Sequence, residues 1–487
     1  MCGLNGDGCL PFANESLAFR CPADCIVGAN VLNPRAVGAE VVNYRPFVVG
    51  GPTPAEAAAH DTYGTYRADS FICGAAVHAG LTTARYGGCG VLKRTGAAAA
   101  FPASDRHGIA SIGFDASFPS SFTFVEGART ASCRDLRWHL FAVSIPFTTV
   151  LALVAPAAAV PFYAAFVGVF FHVALASDPP YLENPYDVVS RALARFLPAV
   201  FVAHYMWMYV LGRVHRRAPK LERTVLFLGG LWVGALTNIT LDAMIPINRL
   251  TGRDLAQQPG AKAALAVIVA ILAVIIVGQA HYLRVSGQLP RMLGVYGGIG
   301  LALALLAAIP GTSLRIHHYI LGLVLLPGTR TCTRPALLYQ GLLVGLFVNG
   351  IARWGFAAVV ETPGALLGDG LHYSSVPAFA PPPDVAAANV TVYWPWRPDA
   401  AGAAASKYAV SGVSVLVNDV ERYSWRASDV GANGTVREGA FTYNRTLGEN
   451  SYVRLAWTVR SGGTLDYTRA GVVAVDGTWV PPEEGSS

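Results

Sequence analysis

Apolar positions are concentrated in the middle of this 487-residue chain. Between about residues 138 and 360, long apolar runs with few charges follow one another, whereas the two flanks have the mixed pattern of soluble domains. About twenty apolar residues suffice for a helix to cross a bilayer, and such a helix pairs its backbone groups internally. The pattern predicts a multi-domain membrane protein with a polytopic α-helical bundle between two domains outside the bilayer.

Hydropathy divides the middle region into about eight spans. They cover residues 140–155, 158–176, 196–211, 225–241, 264–282, 293–309, 319–326 and 337–360. The segment 213–223 contains five basic residues, and the positive-inside tendency assigns such a loop to the cytosol. An even number of spans then places both flanks on the opposite, extracytoplasmic side.

The first flank, residues 1–127, shows one helical signal, at 69–79. Asp69 or Ser70 can cap its start, and Gly80 follows its last turn. Short strand-like segments surround it, which predicts an α+β domain.

The last flank, residues 362–487, alternates apolar and polar positions in several short segments separated by turn residues. This pattern predicts a β-sandwich of immunoglobulin or fibronectin type III kind. The segment contains no cysteine, which excludes the immunoglobulin disulfide and favours the fibronectin type III-like form.

Composition strengthens the membrane assignment. The chain is 53% hydrophobic and 14% charged, compared with about 25% charged residues in soluble domains. Its net charge is +6, but no basic stripe interleaves with aromatic residues, so no nucleic-acid partner is predicted. Membrane lipids are the predicted partners, and no cofactor or metal is predicted.

Six of the eight cysteines lie in the first ninety residues, which suggests disulfides and an oxidising compartment. The alternative is a zinc site, because Cys21 and Cys25 have a ligand-like spacing with Cys73 and His78 further on. No second close Cys/His pair completes such a site, so disulfides are favoured.

Five Asn-X-Ser/Thr sequons occur, of which Asn238 lies in an apolar run and is expected to stay unmodified. The glycosylation candidates are Asn14, Asn389, Asn433 and Asn444. They fit a membrane protein of the secretory pathway, at the plasma membrane or in the endomembranes. The N-terminal sequence MCGLNGDGCLPF lacks the apolar core of a signal peptide, and a truncated N-terminus is expected.

Residues 66–92 read YRADSFICGAAVHAGLTTARYGGCGVL and resemble the LCCL domain, an extracellular module. The resemblance implies that Cys25 pairs with Cys73, and Cys21 with Cys9 or Cys2. It also implies a lipid, lipopolysaccharide-like or glycan ligand, for which the candidate residues are Tyr66, His78 and Arg85. The alternative for His78 is a packed histidine with hydrogen-bonded ring nitrogens.

Motifs in the rest of the chain resemble the fungal LCCL domain-containing membrane proteins. These motifs are SDPP (177–180), QPGA (258–261), LRIHHYI (314–320), LLPGTRT (325–331), LYQGLLVGLFVNGIARW (338–354), VLVNDVER (415–422) and DYTRAG (466–471). The resemblance spans nearly the whole chain and implies architecture more than mechanism.

Two functions follow. The first is a receptor or scaffold that displays an LCCL domain for lipid or glycan ligands. The second is a membrane enzyme or transporter, because polar residues inside a bilayer are costly and often functional. Its candidate residues are Asp242, His317, His318, Asn349 and Arg353. Interhelical hydrogen bonding is the alternative role of these residues.

Overall fold

The computed structural model describes residues 3–9, 14–26, 35–42, 46–53, 63–125, 133, 135–180, 184–241, 245–247, 255, 258–362, 374–397, 409–427, 438–460 and 463–486. The chain forms two compact units. The β-rich unit comprises residues 1–26, 30–135 and 369–487, and the helical unit comprises residues 27–29 and 136–368. The two flanks of the sequence therefore lie together in one unit.

The N-terminal part of the β-rich unit contains an antiparallel five-stranded sheet, with strand order β1-β6-β9-β5-β4, and two hairpins, β2-β3 and β7-β8. Its strands are β1 Ser16–Cys21, β2 Arg35–Val37, β3 Glu40–Val42, β4 Gly50–Gly51, β5 Thr65–Arg67, β6 Gly88–Arg94, β7 Asp105–Arg106, β8 Ile109–Ala110 and β9 Ser121–Phe124. Helix α1 spans Ile72–His78, within the predicted helical segment. A 3-10 turn at Asp7–Cys9 precedes these elements.

Helix α1 packs against this sheet through small side chains. Ala75, Ala76 and Val77 share a buried cluster with Leu92 of β6 and Phe122 of β9. Alanine side chains let the helix approach the sheet closely, which explains why the sequence ICGAAVH forms a fully packed helix of only seven residues.

The helical unit contains ten α-helices among its described residues. They are α2 Arg137–Val154, α3 Ala159–His172, α4 Pro185–Met206, α5 Gly212–Arg217, α6 Lys220–Glu222, α7 Gly229–Ala235, α8 Ala261–Val285, α9 Leu289–Ala307, α10 His318–Leu325 and α11 Arg334–Trp354. π-Helical turns at Val173–Ser177, Trp207–Leu211 and Arg223–Leu228 and a 3-10 turn at Leu326–Thr329 continue several of them. Strand β10, Ser313–Leu314, pairs with β11, Val360–Glu361.

Six helical segments of the described chain are long and apolar enough to cross a bilayer. They are Arg137–Val154, Ala159–Ser177, Pro185–Arg217, Ala261–Val285, Leu289–Ala307 and Arg334–Trp354. The segment predicted at 319–326 lies in a shorter apolar helix, and the one predicted at 225–241 is helical only to residue 235. The count of eight spans stays a prediction.

Glycines bring helices α7 and α11 into backbone contact. A Cβ atom at Gly230 or Gly234 would lie 2.8 or 2.3 Å from a carbonyl oxygen of α11. A Cβ at Gly341 or Gly345 of α11 would lie 2.2 or 2.4 Å from the backbone oxygen of Phe227 or Leu231. Two reciprocal small-xxx-small patterns therefore mesh, which is the packing mode of helices in membranes.

The C-terminal part of the β-rich unit has a three-stranded sheet, β12-β13-β16, and a six-stranded sheet, β15-β14-β17-β19-β20 with β18 paired to β17. The strands are β12 Asp384–Ala386, β13 Asn389–Pro395, β14 Val410–Val417, β15 Val420–Arg426, β16 Glu438–Asn444, β17 Ser451–Val459, β18 Thr464–Tyr467, β19 Gly471–Val473 and β20 Trp479–Val480. Side chains of both sheets share one core, which includes Val392, Trp394, Val415, Leu455 and Trp457.

Strand β17 is buried on both faces, although its sequence alternates. Leu455 and Trp457 point into the core between the sheets, whereas Tyr452 belongs to a second cluster with residues of the N-terminal part. The N-terminal part of the chain therefore covers the outer face of this strand.

Candidate functional site

Tyr66 and His78 form a buried pair beneath the five-stranded sheet. Both are fully buried, and the Tyr66 hydroxyl lies 2.8 Å from His78 Nδ1. His78 Nε2 lies 3.1 Å from the backbone oxygen of Ser104. Because a carbonyl only accepts, Nε2 carries the proton and Nδ1 accepts from the tyrosine. Burial lowers the pKa of His78, and Arg106 lowers it further against the opposing effect of the Ser104 hydrogen bond.

The sequence predicted that Tyr66, His78 and Arg85 contact a ligand. The structure places Arg85 on the surface, with its guanidinium 5.4 Å from the ring centre of exposed Tyr86, away from the buried pair. The geometry of the pair is that of a packed histidine, and a ligand would reach it only if the packing opened. A ligand role for these residues stays a prediction.

A disulfide joins Cys21 of β1 to Cys73 of α1, and a second joins Cys89 of β6 to Cys133. The expected pairing of Cys25 with Cys73, and of Cys21 with Cys9 or Cys2, is therefore wrong. Residue spacing does not determine connectivity, and only the fold brings the start of α1 beside the end of β1. The Cys21–Cys73 disulfide also occupies two of the cysteines proposed as ligands of the alternative zinc site.

Arg67, next to Tyr66 in β5, is a buried cation that the sequence analysis missed. Its side chain is 1% exposed. The guanidinium lies 4.7 and 4.6 Å from the ring centres of Phe114 and Phe118, where cation–π attraction is effective. Its Nε lies 2.9 Å from Asp69, and its Nη1 lies 2.8 Å from Asp419 of the C-terminal part. Burial alone would lower the pKa of Arg67, but the two carboxylates outweigh it and raise the pKa.

A tight turn presents Asp419 to Arg67. Asn418 and Asp419, between β14 and β15, have φ angles of 53° and 62°. Two left-handed residues in a two-residue hairpin are typical of a type I′ turn, for which Asn and Asp are suited. This turn lies within the motif VLVNDVER, and its Asn-Asp pair between two apolar runs could have indicated a tight hairpin. Its partner across the unit could not be read from the sequence.

The hairpin β2-β3 docks on the same turn. The Gly38 backbone N–H donates to Asp419 Oδ2 at 3.1 Å, and the Gly38 carbonyl accepts from the guanidinium of buried Arg454. A Cβ atom at Gly38 would lie 3.1 Å from the Tyr452 ring, and its φ is +53°. The close approach and the left-handed backbone both favour glycine here.

The two parts of the β-rich unit also share apolar and polar contacts beside this ion pair. Phe114 and Tyr452 lie with ring centres 5.9 Å apart in one buried cluster. The Tyr452 hydroxyl donates to Asp115 at 2.7 Å, and Asn450 donates to the same carboxylate at 2.9 Å. Together with the ion pair, these contacts define an interdomain site centred on Arg67 and Asp419, which we call the head–tail junction.

Three sequon asparagines lie on the surface. Asn14, Asn389 and Asn444 are exposed, whereas Asn433 lies outside the described residues. Asn389 and Asn444 are directly opposite each other in the register of β13 and β16. The buried fifth sequon residue, Asn238, is hydrogen-bonded within the helical unit.

In the helical unit, Asn349 and Arg353 of α11 join one polar network. Asn349 Nδ2 donates to the Asn238 side chain at 3.1 Å, and Asn238 Nδ2 donates to Asp178 at 2.5 Å. Arg353 Nε lies 3.8 Å from the same carboxylate. Arg195 Nη1 donates to the backbone oxygen of Arg353 at 2.8 Å. Asn349 and Arg353 were predicted from the sequence as candidates, whereas their partner Asp178 was not.

The two adjacent histidines do not join this network. His317 Nε2 donates to the Ala358 carbonyl at 3.2 Å and lies 4.0 Å from Glu361, while His318 is exposed. Asp242 lies outside the described residues. Within the described parts of the chain, no group of three or more His, Cys, Asp or Glu side chains could hold a metal ion.

Comparison with known proteins identifies the N-terminal part. The family model of the LCCL domain matches residues 4–122, which include the Cys21–Cys73 disulfide and Arg67. The "Uncharacterized protein YIL067C" of Saccharomyces cerevisiae is 33% identical over 520 residues, covering 100% of this chain and 74% of the yeast protein. No solved structure matches the chain. The chain therefore belongs to the family of LCCL domain-containing proteins that includes this yeast protein.

Proposed function

We propose that the chain is a multi-pass membrane receptor or scaffold of the secretory pathway whose LCCL domain binds a lipid or glycan ligand outside the cytosol. Its helical unit anchors the protein in the membrane. Its C-terminal sheets, a fibronectin type III-like sandwich in this proposal, support the LCCL domain rather than forming a separate module.

Exposed apolar surface on the helical unit supports the membrane location. Helices α8 and α9 expose large side chains such as Val274, 74% exposed, and Leu305, 64% exposed. Contiguous apolar surface of this extent is not stable in water, whereas lipid solvates it.

The head–tail junction is the observation that carries the proposal. The chain leaves the β-rich unit after Asp135 and returns to it at residue 369. Because Arg67 and Asp419 belong to opposite ends of the sequence, both ends lie on the same side of any membrane that the helices cross. The number of crossings is then even, and the β-rich unit is displayed as one body.

The disulfides and surface sequons support an extracytoplasmic side for that body. Disulfides persist in oxidising compartments, and the β-rich unit contains two of them. Asn389 and Asn444 are exposed and therefore accessible to glycosylation.

Ligand binding is tested on the full chain purified in detergent, because the LCCL domain shares a core with the C-terminal sheets. We expect saturable binding to immobilised lipids or glycans that weakens in Arg85→Ala. Arg20→Ala, which removes another exposed arginine of the same domain, is the matched control. A folded wild-type chain without saturable binding across both arrays would contradict the ligand-binding function.

Topology is tested separately by glycosidase digestion. We expect Asn14→Gln and Asn444→Gln each to remove one glycan from the expressed protein. Glycan on only one of these two flanks would contradict the shared compartment.

A membrane enzyme or transporter is the second candidate, and the network of Asp178, Asn238, Asn349 and Arg353 favours it. Ionisable groups inside a bilayer are energetically costly, and they often mark substrate or ion pathways. Asn349→Leu and Arg353→Gln are compared with Lys262→Gln, which alters an exposed residue outside the network. Altered lipid or cell-wall composition in the first two variants alone, at equal surface expression, would favour this function over the receptor.

A further inference from the structure

Arg223, in the π-helical turn before α7, is a buried cation with unused hydrogen-bond donors. Its side chain is 6% exposed. Nη1 donates to the His215 carbonyl at 3.3 Å, whereas Nε and Nη2 have no partner among the described residues. These two donors form one edge of the guanidinium, the edge that binds oxyanions. A buried charge with unused donors is costly, so an acceptor is expected there.

Arg223 also lines a small pocket. His215 is its other polar residue, and the remaining lining residues are apolar: Ala152, Pro161, Phe162, Ala165, Phe227 and Leu228. Its enclosed part holds about one water molecule. A space of this size admits one phosphate oxygen, and its apolar lining suits the alkyl chain of a lipid.

The charge around the pocket favours an anionic ligand. The basic segment that precedes Arg223, which contains helices α5 and α6, exposes Arg213, Arg216, Arg217 and Lys220. The acidic residue in the same segment, Glu222, lies 2.6 Å from Arg334 and is already neutralised. Basic pockets between membrane helices bind the head groups of acidic lipids.

We propose that Arg223 and this pocket bind the phosphate of an anionic phospholipid at the end of the helical unit that carries this basic segment. The inference depends on the proposed membrane location but not on ligand binding by the LCCL domain. It assigns the lipid a specific site rather than a place in the surrounding bilayer.

The test uses the full chain in neutral detergent, with phosphatidic acid, phosphatidylcholine and inorganic phosphate as separate probes. Native mass spectrometry measures retained lipid, and thermal unfolding measures stabilisation. We expect phosphatidic acid to bind and raise the melting temperature, and phosphatidylcholine and inorganic phosphate to have little effect. Arg223→Gln should weaken phosphatidic acid binding about tenfold or more, because a charge-assisted hydrogen bond is lost.

Arg216→Gln is the matched control, since it removes an exposed arginine of the same segment. Equal loss of binding in Arg216→Gln and Arg223→Gln would overturn the proposal and indicate diffuse attraction. Equal binding of phosphatidylcholine, or equal stabilisation by inorganic phosphate, would overturn it too. If Arg223→Gln does not fold, Arg223→Lys is measured instead, together with the preference of the wild type for phosphatidic acid over phosphatidylcholine. Unchanged affinity for phosphatidic acid in Arg223→Lys, or no lipid preference in the wild type, would count against the site.

Discussion

Arg67 and Asp419 are 352 positions apart in the chain, and their side chains meet at 2.8 Å in a buried ion pair. One residue belongs to the LCCL domain and the other to a turn of the C-terminal sheets. Residues 136–368 of the helical unit lie between them in sequence. The pair therefore joins the two flanks of a chain that hydropathy alone divides into three regions.

Removal of the Asp419 carboxylate should destabilise the β-rich unit. Asp419→Ala leaves Arg67 buried with Asp69 alone, and breaking a buried ion pair on one side costs about 3 kcal/mol. Unfolding followed by tryptophan fluorescence measures this change. Glu483→Ala, which removes the exposed partner of Arg469, is the control and should change stability little. Equal stability of Asp419→Ala and the control would show that the junction contributes little.

The sequence predicted much of the LCCL domain and little of the junction. The segment 69–79 predicted from the sequence contains α1, which begins three residues later than predicted. The predicted cap is wrong, because Phe71 is the N-cap residue, Asp69 accepts from Arg67 and the Ser70 hydroxyl accepts from the Val49 N–H. Arg67, by contrast, appeared as an ordinary arginine between Tyr66 and Ala68. Its burial depends on Phe114, Phe118 and Asp419, which only the tertiary fold brings to it.

Loss of the Cys21–Cys73 disulfide should destabilise the LCCL domain by about 2–4 kcal/mol, because the bond closes a long loop and constrains the unfolded chain. Cys73→Ser tests this in a thermal unfolding experiment on the full chain. Cys332→Ser, which alters an exposed cysteine of the helical unit, is the control. Peptide mapping under non-reducing conditions should yield the Cys21–Cys73 and Cys89–Cys133 pairs. A mapped Cys25–Cys73 bond would contradict the structure.

Acid should weaken the LCCL domain through His78. Burial depresses the pKa of His78 below its ordinary value of about 6.5, so the folded domain favours the neutral form of the ring. The unfolded chain takes up a proton first as the pH falls, and stability is lost below about pH 6.5 down to the depressed pKa. Melting temperatures between pH 7.5 and pH 5 should therefore fall more steeply for the wild type than for His78→Gln, which cannot titrate. Parallel slopes would show that another group controls the acid response.

In the helical unit, sequence predicted where apolar helices lie but not how they pack. Hydropathy located the six long segments because lipid-facing positions need only be apolar. The partner of Asn349 and Arg353 was missed because Asp178 lies two residues beyond the span predicted at 158–176. Helix contacts depend instead on which small residues face each other, and hydropathy does not record this.

The glycine contacts between α7 and α11 give the corresponding prediction. Gly345→Val places a side chain where a Cβ already lies 2.4 Å from the Leu231 carbonyl, so the helices must separate. We expect the free energy of unfolding to fall by about 1–3 kcal/mol, the usual cost of overpacking. Gly297→Val in α9, where a Cβ meets nothing within 4 Å, is the matched control. The melting temperature in detergent should fall for Gly345→Val and stay near the wild-type value for Gly297→Val. Since both substitutions add the same apolar side chain to a helix, a difference between them isolates the backbone contact.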